Sequence, residues 1–286
     1  MKSRGNKKTV AVVTGSSSGI GFETCLSLAR NGFHTYATMR NLAKSDSIID
    51  LKQKEKLPLE AVHLDVTNDK SIKEAIGKII HEQERIDVLV NNAGYALVGS
   101  LEEISVQEFI EQFETNVFGV MRVIQEVLPY MRKQRSGTIV NISSVAGMIG
   151  FPITSAYVSS KFALEGLSES MAYELEQFGI KVVLIEPGVI KTNFNKNLRV
   201  GKMVASTNDS TSPYAEITQK RISGFIPRFE MGSAPKKVAE AILKAIRSEN
   251  PDLRYMVGGD AFRLMEIKKN TSDGEFRKLV MKSVLR

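Results

Sequence analysis

The chain has 286 residues, 42% hydrophobic and 25% charged, with one cysteine and a formal net charge of +7. This balance excludes a disordered polymer and allows a sizeable core. The lone Cys25 excludes a disulfide framework and a cysteine-built metal site within the chain, and no stretch reaches the roughly 18 uninterrupted apolar residues of a membrane span. Lys and Arg are dispersed among Asp and Glu without a nucleic-acid recognition signature, so the charge reads as a solvated surface that also favours an anionic small molecule.

The N-terminal segment Met1 to Lys8 is basic, lacks the apolar run of a signal peptide and reads as a loose tail. With the single cysteine it points to the cytoplasm. Thr9 to Thr14 is a short apolar, β-rich run suited to a strand buried on both faces. Gly15-Ser16-Ser17-Ser18-Gly19-Ile20-Gly21 follows, and then a helical pattern to Arg30 carried by Phe22, Cys25, Leu26 and Ala29. A glycine-rich turn between a buried strand and a helix start lets the backbone approach a pyrophosphate, with free amides and a positive dipole end facing it. Further strands are expected at Thr35 to Thr38, Leu59 to Leu64, Val88 to Asn91, Thr138 to Ile142 and Val182 to Ile185, separated by helices.

Ser105-Val106-Gln107-Glu108 is a capping box, opening a helix expected to run to about Gln134 with a kink at Pro129. Asn116 interrupts the apolar face of that helix and requires partners, either as a satisfied structural amide or in a polar network. A second long helix is expected from Ser155 to Phe178, ended by Gly179. Strand and helix alternate throughout, which predicts an α/β fold: a doubly wound parallel sheet of Rossmann type in one domain, with its core over about 9 to 260.

Asn193 to Glu230 fits neither periodicity and reads as a substrate lid. Its Phe194, Leu198, Met203, Tyr214, Ile217, Ile222, Phe225, Ile226 and Phe229 suit a lipophilic substrate or packing on the core. The extension 261 to 286 ends in a helical pattern with Phe276, Leu279, Val280 and Val284. It could dock on the body, on a second subunit or on an anionic membrane. His34, His63 and His81 are scattered, and no metal site is expected.

Where an NAD-binding fold places its ribose-binding carboxylate, this chain has Thr38-Met39-Arg40-Asn41. Arg40 can pair with a 2'-phosphate, so NADP(H) is expected over NAD(H). Tyr157 and Lys161, four residues apart, share a helix face, where the ammonium favours the phenolate and so enables proton exchange with an alcohol oxygen. Ser143, just past a strand at the carboxyl edge, is placed to hold that oxygen.

With Asn91-Asn92-Ala93-Gly94 and Pro187-Gly188, these residues make the chain resemble the short-chain dehydrogenase/reductase family, in its branch of about 250 residues, over roughly Thr9 to Thr192. The resemblance implies a tetrad of Asn116, Ser143, Tyr157 and Lys161. In it Tyr157 is the acid/base, Ser143 orients the oxygen, Lys161 also binds the nicotinamide ribose, and Asn116 supports a water-linked relay. It further implies that Asp65, with Val66 beside it, contacts adenine, that Asn91, Asn92, Ala93 and Gly94 line the adenosine side, that Pro187, Gly188 and Val189 bind the cofactor, and that Thr192 binds the nicotinamide carboxamide. Asp65 on its own reads equally as a polar strand terminus near a helix start. Tyr36 to Asn41 and Lys161 to Leu167 are similar to the hydroxysteroid and retinol dehydrogenase group, and the family implies a homodimer or homotetramer. The expected partner is a carbonyl or alcohol small molecule. A dinucleotide-binding redox sensor and an epimerase or dehydratase are the competing readings; the full tetrad disfavours the first, and the glycine spacing with the modest C-terminal region disfavours the second.

Overall fold

The computed structural model describes residues 8–194, 198–206 and 212–285; residues 1–7 of the basic tail, and the side chains of Phe225, Ile226 and Val284, lie outside this set. Seven parallel strands form the sheet: β1 (Val10–Val13), β2 (His34–Met39), β3 (Leu59–His63), β4 (Val88–Asn91), β6 (Gly137–Ile142), β7 (Ile180–Pro187) and β9 (Arg254–Val257), in the order β3-β2-β1-β4-β6-β7-β9. Chain order reverses between β1 and β4, which opens a crevice at the carboxyl edge. β5 (Ala96–Val98) and β8 (Leu198–Val200) pair separately.

The strands are mostly buried because both faces of the sheet are covered. Alternation in β1 sends Val10 and Val12 to one core and Ala11 and Val13 to the other. The first core is closed by α3 (Asp69–Gln83), α5 (Gly119–Gln134) and α6 (Ser155–Glu176), through residues such as Ile76, Val123 and Leu164. The second is closed by α1 (Gly19–Arg30) and α9 (Pro235–Arg247), through Leu26, Leu28 and Ile242, with Cys25 buried among them. Short α2 (Asp46–Glu55) links β2 to β3.

The capping box forms as expected: Glu108 N donates to Ser105 Oγ at 3.2 Å and Ser105 N to Glu108 Oε2 at 3.0 Å, opening α4 (Val106–Phe113). The interruption of the long helix, however, is a π-turn at Glu114–Phe118, whereas Pro129 sits within continuous α5. Gly119 N–H bonds back five residues to the Glu114 carbonyl, and the inserted residue carries Asn116 inward.

The described part of the region expected to be irregular is largely helical, while 195–197 and 207–211 of the expected lid lie outside the described residues. After β8 come α7 (Lys202–Ser206) and the sixteen-residue α8 (Ala215–Glu230), whose entry is tied to the body by Tyr214 donating to Glu102 at 2.8 Å. Beyond β9, α10 (Gly259–Lys269) and α11 (Asp273–Leu285) fold back, and Phe276 and Val280 pack on Val145, Ile149 and Ala261. The tail therefore docks on its own body. No helix among the described residues is long and apolar enough to cross a membrane.

Candidate active site

Loops from the carboxyl ends of β1, β2, β3, β4, β6 and β7 converge on a cleft of about 580 Å³. Its floor is the turn after β1. Gly15 has φ of 67°, and a Cβ there would sit 2.8 Å from the Ala93 backbone, so the turn and the loop after β4 meet only because the side chain is missing. Ser17, Ser18, Gly19 and Ile20 line the cleft. Ser18 makes no side-chain cap and the first turn of α1 holds no acid, which leaves amides and a positive dipole end for an anion.

Two residues expected at the cofactor stand behind it. Ser16 is fully buried, its hydroxyl donating to the Val13 carbonyl at 2.7 Å, so it ties the turn to the strand. Gly21 packs against Asn92, where a Cβ would lie 2.5 Å from Nδ2. Asn92 itself donates to the Thr14 and Gly15 carbonyls at 2.9 and 3.0 Å, clamping the two loops.

Arg40 lies exposed at the cleft mouth beside Asn41 and Lys44. Asn41 Oδ1 accepts from Ala43 N at 3.0 Å, starting a short helical turn that brings Lys44 to the same spot. The sequence reading missed this second cation, whose signal was a capping asparagine three residues before it. Asp65 and Val66 line the opposite wall, with Asp65 Oδ1 also accepting from Thr67 N and Oγ1. Ala93, Gly94, Pro187, Gly188, Val189 and Thr192 are lining residues as well. Asp260, not anticipated, accepts from Val189 N at 2.7 Å and fixes that loop.

The serine nearest Tyr157 is not the expected one. β6 alternates, so Val140 and Ile142 enter the α1/α9 core while Asn141 points to α6, donating to Ser168 Oγ at 2.8 Å. Ser143 is still on the ladder, its N–H bonded to the Ile185 carbonyl at 2.8 Å, and its hydroxyl follows Asn141 to the α6 side. There it faces Glu165 across Gly147, where a Cβ would sit 2.7 Å from Ser143 Oγ and 3.2 Å from Glu165 Oε1. Ser144, the first residue off the ladder, is the side-chain hydrogen-bond partner of Tyr157.

Tyr157 and Lys161 share a face of α6, with Nζ 5.9 Å from the ring centroid. Lys161 is 8% exposed and donates to the Ile142 carbonyl at 2.7 Å. Burial pulls its ammonium down to about 8 against the pull of Glu165, and burial pushes the Tyr157 phenol up to about 12 against the Ser144 hydrogen bond. For the phenol, burial outweighs the Ser144 hydrogen bond, and its shift is upward, opposite in sense to the expected depression.

Asn116 does not line the cleft. It is 1% exposed; Nδ2 donates to the Tyr95 carbonyl at 3.0 Å and to Ser160 Oγ at 3.1 Å, and Oδ1 accepts from Tyr95 N at 3.2 Å. Ser160 Oγ in turn donates to the Tyr157 carbonyl at 2.7 Å, so the amide links the loop after β4 to the turn of α6 that bears Tyr157. Beneath Lys161, Arg254 Nε lies 3.2 Å from Glu165 and 3.3 Å from Glu186, and its Nη2 lies 2.8 Å from Glu169.

This is a dinucleotide-sized cleft ending at a phenol, a hydroxyl and an ammonium, and residues 9–202 match the family model described as short chain dehydrogenase. The chain belongs to the short-chain dehydrogenase family. It is 41% identical to the uncharacterized oxidoreductase YusZ of Bacillus subtilis over 257 residues, covering 88% of this chain and 90% of that protein. It is 38% identical to human retinol dehydrogenase 8 over 275 residues, covering 92% and 86%. A crystal structure of a short-chain dehydrogenase from Streptomyces avermitilis superposes with a TM-score of 0.81 at 35% identity, covering 95% of this chain and 96% of that one. The relatives place this dehydrogenase in the hydroxysteroid and retinol group.

Proposed function

We infer that this oxidoreductase interconverts a ketone or aldehyde and an alcohol with NADP(H), on a lipophilic, medium-sized substrate. The observation that carries the reading is the pair Tyr157 and Lys161 on one face of α6, Nζ 5.9 Å from the ring centroid, both lining the cleft floored by Gly15 together with Ser144.

The bound dinucleotide supplies or accepts the hydride. Gly15 and Ser17 to Ile20 would hold its pyrophosphate, Asp65 and Val66 its adenine, and Ala93 and Gly94 the adenosine side; Lys161 would bind the nicotinamide ribose, and Pro187 to Val189 with Thr192 would hold the nicotinamide. Arg40 and Lys44, with no carboxylate beside them on the β2 loop, favour a 2'-phosphate. Tyr157 gives its proton to the carbonyl oxygen in reduction and takes one from the alcohol in oxidation. Ser144 holds that oxygen by donating to it, a role passed here from Ser143. Asn116 acts as a positioning residue through Ser160 and the Tyr95 loop. Phe194 and Phe229, which line the pocket beyond Tyr157, support an apolar substrate body.

The test is NADPH and NADH oxidation against a panel of aldehydes, retinoids, ketosteroids and sugars. Turnover of lipophilic carbonyls with NADPH is expected, and Tyr157→Phe is expected to lower kcat by about 10²- to 10⁴-fold while nucleotide binding, followed by fluorescence, persists. Equal turnover by Tyr157→Phe overturns the mechanism, equal efficiency with NADH overturns the cofactor assignment, and turnover confined to polar sugars overturns the substrate class.

A further inference from the structure

Tyr157, Lys161 and Glu165 recur every four residues along one face of α6. The first two line the cleft, whereas Glu165 lies a turn further on, outside it and 6% exposed. A carboxylate is almost never buried to this degree without a cation to face. Glu165 faces two. Arg254 of the edge strand β9 brings Nε to 3.2 Å from Oε2, and the Lys161 ammonium, one turn back, feels Glu165 as the charge that opposes its loss of a proton to burial.

Arg254 does not absorb this charge alone. The same guanidinium lies 3.3 Å from Glu186 of β7 and 2.8 Å from Glu169 of α6, so three carboxylates share Arg254 and Lys161. Gly147 leaves the room that Glu165 needs: a Cβ there would sit 2.9 Å from its Cγ and 2.7 Å from the Ser143 hydroxyl, which faces the carboxylate. Burial pushes the Glu165 carboxyl up, against Ser143, Arg254 and Lys161, which hold it ionised. The remaining charges on elements packed against α6 are engaged elsewhere. Glu108 of α4 accepts from Ser105 N and Lys202 N, Glu111 of α4 stands 3.8 Å from Arg199, and Glu114 of the π-turn lies 2.8 Å from Arg122. Lys181, at the far end of β7, donates to the Ser248 carbonyl, while β5, β6 and the turn Val145–Gly147 carry no charged residue. Across the cleft, Asp260 accepts from Val189 N. Glu165 is therefore the carboxylate placed to act on the active-site ammonium.

We propose that Glu165 is a positioning residue of the reaction: its carboxylate, held by Arg254 and admitted by Gly147, keeps the Lys161 ammonium charged beside Tyr157 while that phenol gives up and regains its proton. This rests on reading Tyr157 and Lys161 as the reacting pair. Without the carboxylate, Lys161 becomes neutral at a lower pH, and the phenolate loses the charge that stabilises it.

The experiment titrates Lys161 directly, by carbon-13 NMR of ε-labelled lysine in the protein without nucleotide, the resonance being assigned by its loss in Lys161→Met. The parent midpoint is expected at about 8, and the Glu165→Gln midpoint about one pH unit lower. In parallel, alcohol oxidation with NADP+ is followed from pH 6 to pH 9. The ratio of parent to Glu165→Gln kcat is expected to grow from about one at the acid end to roughly tenfold at the alkaline end, with the KM for the alcohol unchanged within about twofold. Glu165→Asp, which keeps the charge on a shorter stem, is expected to fall between the two in both measurements. Glu169→Gln, which removes the exposed partner of Arg254, is expected to leave the Lys161 midpoint in place. An unmoved midpoint in Glu165→Gln, an equal displacement in Glu169→Gln, or a kcat ratio that is the same at every pH overturns the proposal, the last being what a merely structural tie between α6 and β9 gives. Should Glu165→Gln fail to fold, the displacement in Glu165→Asp decides. Turnover indifferent to Tyr157→Phe refutes the reading of the site, and the NMR titration still judges the coupling of Glu165 to Lys161.

Discussion

Glu186→Gln is expected to stabilise the protein at pH 8 and to do little at pH 5. Glu186 is 1% exposed at the end of β7, and its Oε1 has no hydrogen bond. Burial first, and repulsion from Glu165 second, push its carboxyl up from 4.5 to about 7, against the attraction of Arg254. Below pH 4.5 the group is protonated in folded and unfolded chains alike, and it contributes no pH dependence. Between 4.5 and 7 the unfolded chain loses this proton while the folded chain keeps it, so stability falls as pH rises, and the loss is complete above 7. At about 1.4 kcal/mol per pH unit, a rise from 4.5 to about 7 corresponds to ~3 kcal/mol as an upper limit, offset by the Arg254 contact at 3.3 Å that the variant weakens. Glutamine keeps the shape, removes the charge and offers an N–H towards the Glu165 side. Urea unfolding at pH 5 and pH 8 measures the difference through the midpoint at constant slope. An equal effect at both pH values, or a larger loss at pH 8, refutes the reasoning.

Ser144→Ala is expected to lower kcat by about 10²- to 10³-fold, as loss of one donor to the reacting oxygen does, whereas Ser143→Ala lowers it far less; steady-state kinetics on both variants decides between the serines. Arg40→Ala is expected to raise the KM for NADPH by about tenfold or more and to leave the KM for NADH within about twofold, read by cofactor titration at saturating substrate.

The sheet was legible because its first six strands are short β-rich runs bounded by turn residues, most of them buried along their length. β9 escaped because Arg254 and Tyr255 are an exposed and a half-buried residue at the sheet edge, and four residues of mixed character carry no period. The lid escaped for a related reason. α8 contains Gly224 and Pro227 and presents both cations and rings to a cavity, so its pattern is set by the pocket and not by one core face. The π-turn was foreshadowed by Asn116, a polar residue on an apolar face, while Pro129 drew attention to the wrong turn. Ser16 and Gly21 lay in the right motif, yet a motif does not tell which of its residues face the ligand and which hold the turn. Ser143 and Ser144 were separable in principle: extending the alternation of β6 by one residue sends Ser143 beneath α6, and the first serine beyond the ladder is the one that reaches the phenol.

Four-residue spacing put Tyr157 and Lys161 on one face of α6, but spacing alone does not set a charge state. Both groups are removed from water, and desolvation acts on them in opposite senses, raising the phenol to about 12 and lowering the ammonium to about 8. Near neutral pH Tyr157 is therefore a hydrogen-bonded neutral phenol with a proton to give. Lys161 is charged there but close to losing its proton, with its hydrogen bond spent on the Ile142 carbonyl. A site in that state is prepared to protonate a carbonyl oxygen. Running the reaction backwards requires the phenolate, and thus an ammonium turned from Ile142 towards Tyr157. The pH dependence of the two directions should separate accordingly, reduction holding its rate at neutral pH and oxidation rising with alkalinity until Lys161 deprotonates.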